Sequence, residues 1–325
     1  MLFHSHFFIF IFLPVCFFGF IALNTRQNKE LSLGWLVLCS LFFYAWWNPE
    51  YSLLIIASMI VNFLIGDAIS RSSKTYRKKL LLITGVTIDL SVIGYYKYTI
   101  FLIDTINTLS GSEFHLYSIV LPLGISFFTF QQIAYLVDAY RNETHEYNFL
   151  HYALFVTFFP QLIAGPIVHH KEMLPQFMTG DAGKFDYQNI AVGITIFSIG
   201  LFKKVILADG VAEYATPVFQ AAENGAEITF LIAWGGALAY TLQLYFDFSG
   251  YSDMAIGLAR VFGIILPLNF DSPYKAINII DFWRRWHMTL SRFLRDYLYF
   301  PLRRNRYGTI SRYRNLFWTM LLGGL

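Results

Sequence analysis

The stretch from Asn278 to Phe300, NIIDFWRRWHMTLSRFLRDYLYF, holds the side chains best suited to chemistry. His287 sits beside Arg284 and Ser291. An imidazole changes charge near neutral pH, so it can move a proton or orient a substrate. A cationic patch next to it suits a phosphate-bearing donor. At about 100° per residue, Trp283, Trp286, Leu290, Phe293, Leu294 and Tyr297 share one arc. Asp281, Arg285, Arg292 and Asp296 lie opposite, with His287 at the border. This spacing predicts one amphipathic helix, ended by Pro301. The plainer alternative is an interfacial anchor, with arginines on lipid headgroups and an incidental His287.

Two further stretches carry polar groups into apolar surroundings. Gln243 to Asp253, QLYFDFSGYSD, places Asp247 and Ser249 between two apolar runs. A carboxylate at membrane depth is costly and marks a functional candidate, although a helix-capping turn at the interface explains the same residues. Gln161 to His170, QLIAGPIVHH, has a Gly-Pro break and a histidine pair that can line a cavity. Adjacent histidines point to different helix faces, so His169 and His170 do not predict a metal pair. The zinc motif His-Glu-x-x-His and the Gly-x-Ser-x-Gly elbow are missing, and Gly183-Lys184 lacks the rest of a P-loop. His4, His6, His115, His145 and His151 stand in no catalytic spacing and read as interfacial or packed.

The elements that position these groups belong to a membrane. Of 325 residues, 56% are hydrophobic and 14% charged, against about 25% charged in a soluble domain. A net charge of +3 is too small for a nucleic-acid binder. Cys16 and Cys39 lie in apolar runs and read as small hydrophobes. Phe7 to Leu23 has no basic region before it and reads as a retained first span rather than a signal peptide.

Apolar segments at 7–23, 33–47, 51–68, 80–96, 116–137, 149–168, 188–207, 228–246 and 250–268 are candidate spans, and another opens at Leu316. The tryptophans of Phe42 to Glu50 suit an interfacial belt. Loop charges set an orientation. Residues 69–79 hold five bases and no acid, and 271–315 hold ten bases against three acids, so both are expected in the cytoplasm. Residues 208–227 hold four acids and no base and are expected opposite. Parity then requires that one of 80–96, 116–137, 149–168 and 188–207 enter and leave by one face, for which the Pro/Gly end of 149–168 singles it out, and that 228–246 and 250–268 do not both cross. The expectation is an all-α polytopic protein with re-entrant and interfacial helices, in a single domain over 1–325.

At these stretches the sequence resembles the membrane-bound O-acyltransferase (MBOAT) family, most of all its alginate-acetylating branch. The resemblance rests on Phe42–Tyr51 (FFYAWWNPEY), Leu121–Gln132 (LPLGISFFTFQQ), Gln161–Pro166, Gln243–Gly257 and Asn269–Pro301, and runs over the whole chain in order. It implies helices around a tunnel in the bacterial inner membrane and an acyl thioester donor, acetyl-CoA, on the cytoplasmic side. No bound cofactor or metal is implied. The acceptor is a hydroxyl of an exported polysaccharide such as alginate, met outside with a partner acetyltransferase. His287 matches the histidine of the family's Arg-Trp-His-x-Thr-Leu-Ser motif and is the implied catalytic residue. Asp247, Ser249, Arg284, Arg285, Ser291 and Gln161 are implied in substrate binding or the tunnel wall. The family's usual catalytic base follows Gly-Gly-Leu in a Trp-His-Gly. Here Gly323-Gly324-Leu325 is present, so the resemblance implies a domain incomplete at its C-terminus, with little or no transfer by these residues alone. Two other classes compete: a transporter or channel for an acyl or lipid-linked group, and a scaffold that docks an extracytoplasmic partner.

Overall fold

The computed structural model describes residues 1–24, 29–112, 114, 119–144, 148–178, 185–302 and 308–324. All the regular elements among them are helical. A π-helical turn, Phe8–Phe12, runs into α1 (Leu13–Asn24), and α2 (Lys29–Ala45), α3 (Pro49–Arg71) and α4 (Thr75–Ser110) follow. Next come α5 (Ile125–Tyr140), α6 (Phe149–Thr157), α7 (Phe159–Leu162) and α8 (His170–Met178). Then α9 (Tyr187–Phe202), a π-helical turn at Lys203–Ala208 and α10 (Asp209–Glu223) form one rod, followed by α11 (Phe230–Val261). The chain continues through α12 (Ile279–Arg285), α13 (Met288–Phe293), a π-helical turn at Leu294–Tyr299, α14 (Phe300–Leu302) and α15 (Gly308–Gly324).

Local chemistry explains several boundaries. The Asn48 side chain accepts the Glu50 N–H at 2.9 Å, and Pro49 takes the first helical position of α3. Gly124, at φ +70°, turns the chain into α5, and a Cβ there would lie 3.0 Å from the Leu162 carbonyl.

Three helices among the described residues are long and apolar enough to cross a membrane: Pro49–Arg71, Thr75–Ser110 and Tyr187–Glu223. The chain is a multi-pass membrane protein. Leu53 and Leu64 on α3, with Ile83 and Leu90 on α4, are exposed, as lipid-facing side chains are.

The helices correct the expected segments in three places. Residues 69–79 are not a loop, because only 72–74 separate α3 from α4. Residues 208–227 are mostly helical as well. Ala and Glu favour helix, and the acidic residues do not interrupt the rod. The expected pair 228–246 and 250–268 is a single helix, α11. Asp247 and Ser249 therefore sit inside a helix rather than in a capping turn, and two crossings do not arise. The 149–168 segment folds as α6 of nine residues and α7 of four. Nine residues rise only about 14 Å, too short to span, which fits a segment that turns back.

The chain divides into two compact units. The first comprises residues 1–28, 164–166 and 176–291, and the second 29–163, 167–175 and 292–325. In the first, α9 and α11 touch backbone to backbone. A Cβ on Gly200 would lie 2.6 Å from the Gly250 carbonyl, and one on Gly257 would lie 2.5 Å from the Phe197 amide. Small residues permit this approach. Phe17 and Phe20 of α1 pack on Phe262. In the second unit α2 to α7 enclose a core that includes Phe43, Tyr44, Phe128, Tyr135, Tyr152 and Phe155. The Phe159 N–H donates to Ser40 Oγ at 3.1 Å, tying α7 to α2.

Candidate active site

His287 sits at a break, not within the single helix expected over 278–300. Asn278 caps α12 by accepting the Asp281 N–H at 2.8 Å. Trp286 is extended and His287 has φ +44° before α13 begins. Helical periodicity continues through this stretch, but its backbone bonds go elsewhere. The Asp271 N–H donates to the Arg285 carbonyl at 3.0 Å, and the Met288 N–H to the Asn269 carbonyl at 2.9 Å. The 269–271 segment has replaced the helix ladder. The Ser291 N–H reaches back to the His287 carbonyl at 3.0 Å, and its hydroxyl donates to the Trp283 carbonyl at 3.3 Å.

Asn269 organises the site. Its Oδ1 lies 2.9 Å from His287 Nδ1 and accepts from the Thr289 hydroxyl at 2.9 Å and amide at 3.4 Å. The Thr289 amide can only donate, so this atom is the oxygen, and His287 Nδ1 carries the proton. Nε2 is then the lone-pair nitrogen. Asn269 Nδ2 donates to Ser252 Oγ of α11 at 3.1 Å. Phe248 meets the imidazole edge-on at 4.9 Å, and Phe270 stacks at 6.4 Å.

Burial pushes the His287 imidazole down to about 4 from an ordinary 6.5. The ring is neutral at physiological pH, as a base must be. The sign for stability follows. Below pH 6.5 the unfolded chain takes up a proton that the folded site refuses until about pH 4. Stability contributed by the neutral ring is fully present above 6.5 and is lost as pH falls toward 4. In detergent, the thermal midpoint of wild type is expected to drop more over this interval than that of His287→Asn. Parallel pH curves would refute this assignment.

The cationic patch lies one helix upstream. A shallow cleft of about 370 Å³ is lined by Lys275, Ile277, Asn278, Ile280, Asp281, Arg284 and Arg285. Arg285 is committed: its Nε donates to Asp281 at 3.1 Å, and Nη1 lies 3.6 Å from Asp271. This guanidinium also holds the Asp281 carboxyl below the usual carboxylate range. Arg284 and Lys275 make no ion pair among the described residues. The lining therefore presents two cations without a direct ion pair among the described residues, Arg284 acting on Asp281 only through space, which suits an anionic ligand.

The other expected residues divide. Asp247 pairs with Lys204 at 2.7 Å, and Lys204 also holds Asp209 at 2.7 Å. Ser249 is buried, and its Oγ has no partner among the described residues. Neither bonds His287; the residue between them, Phe248, is the one that touches it. Gln161 belongs to the second unit, where its Nε2 donates to the Phe155 carbonyl at 2.7 Å. His169 and His170 have separate partners, Tyr297 OH at 2.6 Å and Thr144 Oγ1 at 2.7 Å. The Tyr297 hydroxyl in turn donates to the buried Asp138 at 2.8 Å. His151 faces Glu30 at 3.2 Å, while His115, His145, Gly183, Lys184 and Leu325 lie outside the described residues. Sequence reasoning did not single out Asn269, Thr289 or Phe248. The usable signal was Asn269 itself, an amide closing the apolar run Ile264–Leu268.

The fold and site define a multi-pass, all-helical membrane protein with a buried neutral histidine and a separate cationic cleft. The chain belongs to the MBOAT, membrane-bound O-acyltransferase family, whose model matches residues 125–325. Acyltransferases of this family generally need no metal cofactor. The chain is 47% identical to a peptidoglycan O-acetyltransferase of Helicobacter pylori, a match covering all of this chain and 66% of that protein. It is 46% identical to the probable alginate O-acetylase AlgI of Pseudomonas aeruginosa, covering all of this chain and 62% of that one. A teichoic acid D-alanyltransferase of Bacillus subtilis is 33% identical over 54% of this chain and 44% of its own length. The chain thus spans a little under two thirds of the first two relatives.

Proposed function

We propose that this protein moves an acyl group, acetyl in the simplest case, from a cytoplasmic thioester donor toward hydroxyls of an exported glycan. The observation that carries the reading is His287: a buried, neutral imidazole with Nδ1 held by Asn269 and Nε2 left as proton acceptor. In the reaction a hydroxyl oxygen attacks the thioester carbonyl, the carbon–sulfur bond breaks, and the hydroxyl proton must pass to a base. His287 takes or orients that proton. Arg284 and Lys275 receive donor phosphates, as acetyl-CoA offers. Arg285, Asp247 and Ser291, already bonded, shape the wall of the substrate path. Ser249 Oγ is the hydroxyl in that set free to meet substrate.

The membrane is the bacterial inner membrane, with the basic 271–315 region in the cytoplasm. The relatives named for alginate and for peptidoglycan both support a glycan acceptor, completed by an extracytoplasmic partner acetyltransferase. The test uses membranes from cells expressing the gene, given radiolabelled acetyl-CoA. Label is expected in a glycan fraction, and Arg284→Glu or Lys275→Glu is expected to raise the KM for donor. An intact thioester with no glycan label would sink the reading. Labelled donor that crosses the membrane chemically intact, to the same extent in His287→Ala, would favour transport without chemistry.

A further inference from the structure

A buried polar cluster in the second unit shares no residue with the acyl-transfer set. Asn62 on α3 and Asp89 on α4 are 1% and 2% exposed. Asn62 is at least about 14 Å from either end of its helix at 1.5 Å per residue. Its Nδ2 donates to Asp89 Oδ1 at 2.7 Å and to the Ser58 carbonyl at 3.1 Å. The Ser58 carbonyl can only accept, so the amide orientation is fixed. Two atoms of the pair have no partner among the described residues: Asn62 Oδ1 and Asp89 Oδ2. Both are acceptors if Asp89 is ionised.

The neighbours do not neutralise a charge. On α5, Gln132 Oε1 accepts from Ser58 Oγ at 3.1 Å and from the α6 Tyr152 hydroxyl at 3.3 Å. Gln132 Nε2 has no partner among the described residues. Tyr152 of α6 interacts electrostatically with both Asp89 and Tyr135, and neither tyrosine carries a positive charge. Of the charged groups on packed elements, Asp67 pairs with Arg71 near the end of α3, and Glu50 lies at its start. Asp138 of α5 is bonded by Tyr297, and His151 of α6 faces Glu30. No Lys, Arg or His pairs with Asp89 among the described residues.

We propose that Asp89 is a proton-binding site, holding its carboxyl as a neutral acid in a two-bond ring with the Asn62 amide. An unpaired carboxylate at membrane depth is costly. One proton on Oδ2 converts the orphan acceptor into a donor to Asn62 Oδ1 and completes the second bond. A hard metal cation is a poorer occupant, since such ions take about six or more oxygens and the cluster leaves two acceptors and an N–H unpartnered.

The inference goes beyond the proposed acyl transfer, and its test does not read that activity. Purified protein in lipid is treated with an apolar carbodiimide, which modifies protonated carboxyls, and the adduct is mapped by mass spectrometry. Asp89 is expected to be labelled, with labelling falling as pH rises and unaffected by sodium. Asp89→Asn preserves both hydrogen bonds of the ring and is expected to fold. The infrared difference between it and wild type is expected to show a protonated carboxyl carbonyl stretch in wild type. That band decides the matter if the reagent cannot reach the site. A carboxylate signal with no acid band, or protection from labelling by sodium, would overturn the proposal.

Discussion

Replacing His287 by alanine is expected to lower acyl transfer about 100-fold or more, the scale of general acid–base catalysis, without removing the protein from the membrane. Alanine takes one bond from Asn269 Oδ1, but the Thr289 hydroxyl and amide remain on that oxygen, so the loop keeps an anchor. Asparagine at 287 separates two roles. It tolerates the left-handed backbone and can donate to Asn269 Oδ1, yet it is no base. If proton transfer is the role, asparagine and alanine fall together. If His287 only positions the loop, asparagine retains most of the rate. The measurement is thiol release from donor in membranes matched for protein amount, and a wild-type rate in the alanine variant would end the assignment.

The largest expected effect on folding comes from Gly257→Val. Its Cβ would lie 2.5 Å from the Phe197 amide and 2.6 Å from the Gly193 carbonyl. These are backbone atoms on a facing helix, so relief requires separating α9 from α11 along the whole Gly193–Gly200 and Gly250–Gly257 seam. Overpacking of this kind costs about 3 kcal/mol or more. Gly235 on the same α11 has nothing within 4 Å of a Cβ, and Gly235→Ala is expected to be neutral or slightly stabilising. Thermal midpoints in detergent compare the two. Equal midpoints for Gly257→Val and wild type would mean the helices do not meet this closely.

The sequence exposed what local physics decides. Asn48-Pro49 starts α3 because capping and a fixed φ act within a few residues. His287, Arg284 and Arg285 stood out because charge in an apolar chain is conspicuous. What stayed hidden depends on distant partners. The run Trp283 to Leu290 keeps helical periodicity across a break that is imposed by Asn269, 18 residues away. Ser249-Gly250 resembles a turn, yet Gly250 is helical because Gly200 of α9 lies against it. Pattern reading registers a glycine but not the backbone that fills the space above it. Phe248 was passed over between two polar neighbours because edge contact with an imidazole leaves no mark on periodicity.

The backbone at 287 carries a further consequence. Among the described residues only Asn142, Ser272 and His287 combine a side chain with positive φ. Such a conformation costs about 1–3 kcal/mol, and glycine would remove most of that cost. Heat tolerance and reactivity therefore pull this position in opposite directions. An engineering campaign that screened only for robustness would tend to drift toward the achiral residue and discard the imidazole, leaving a sturdier protein with its reactive group gone.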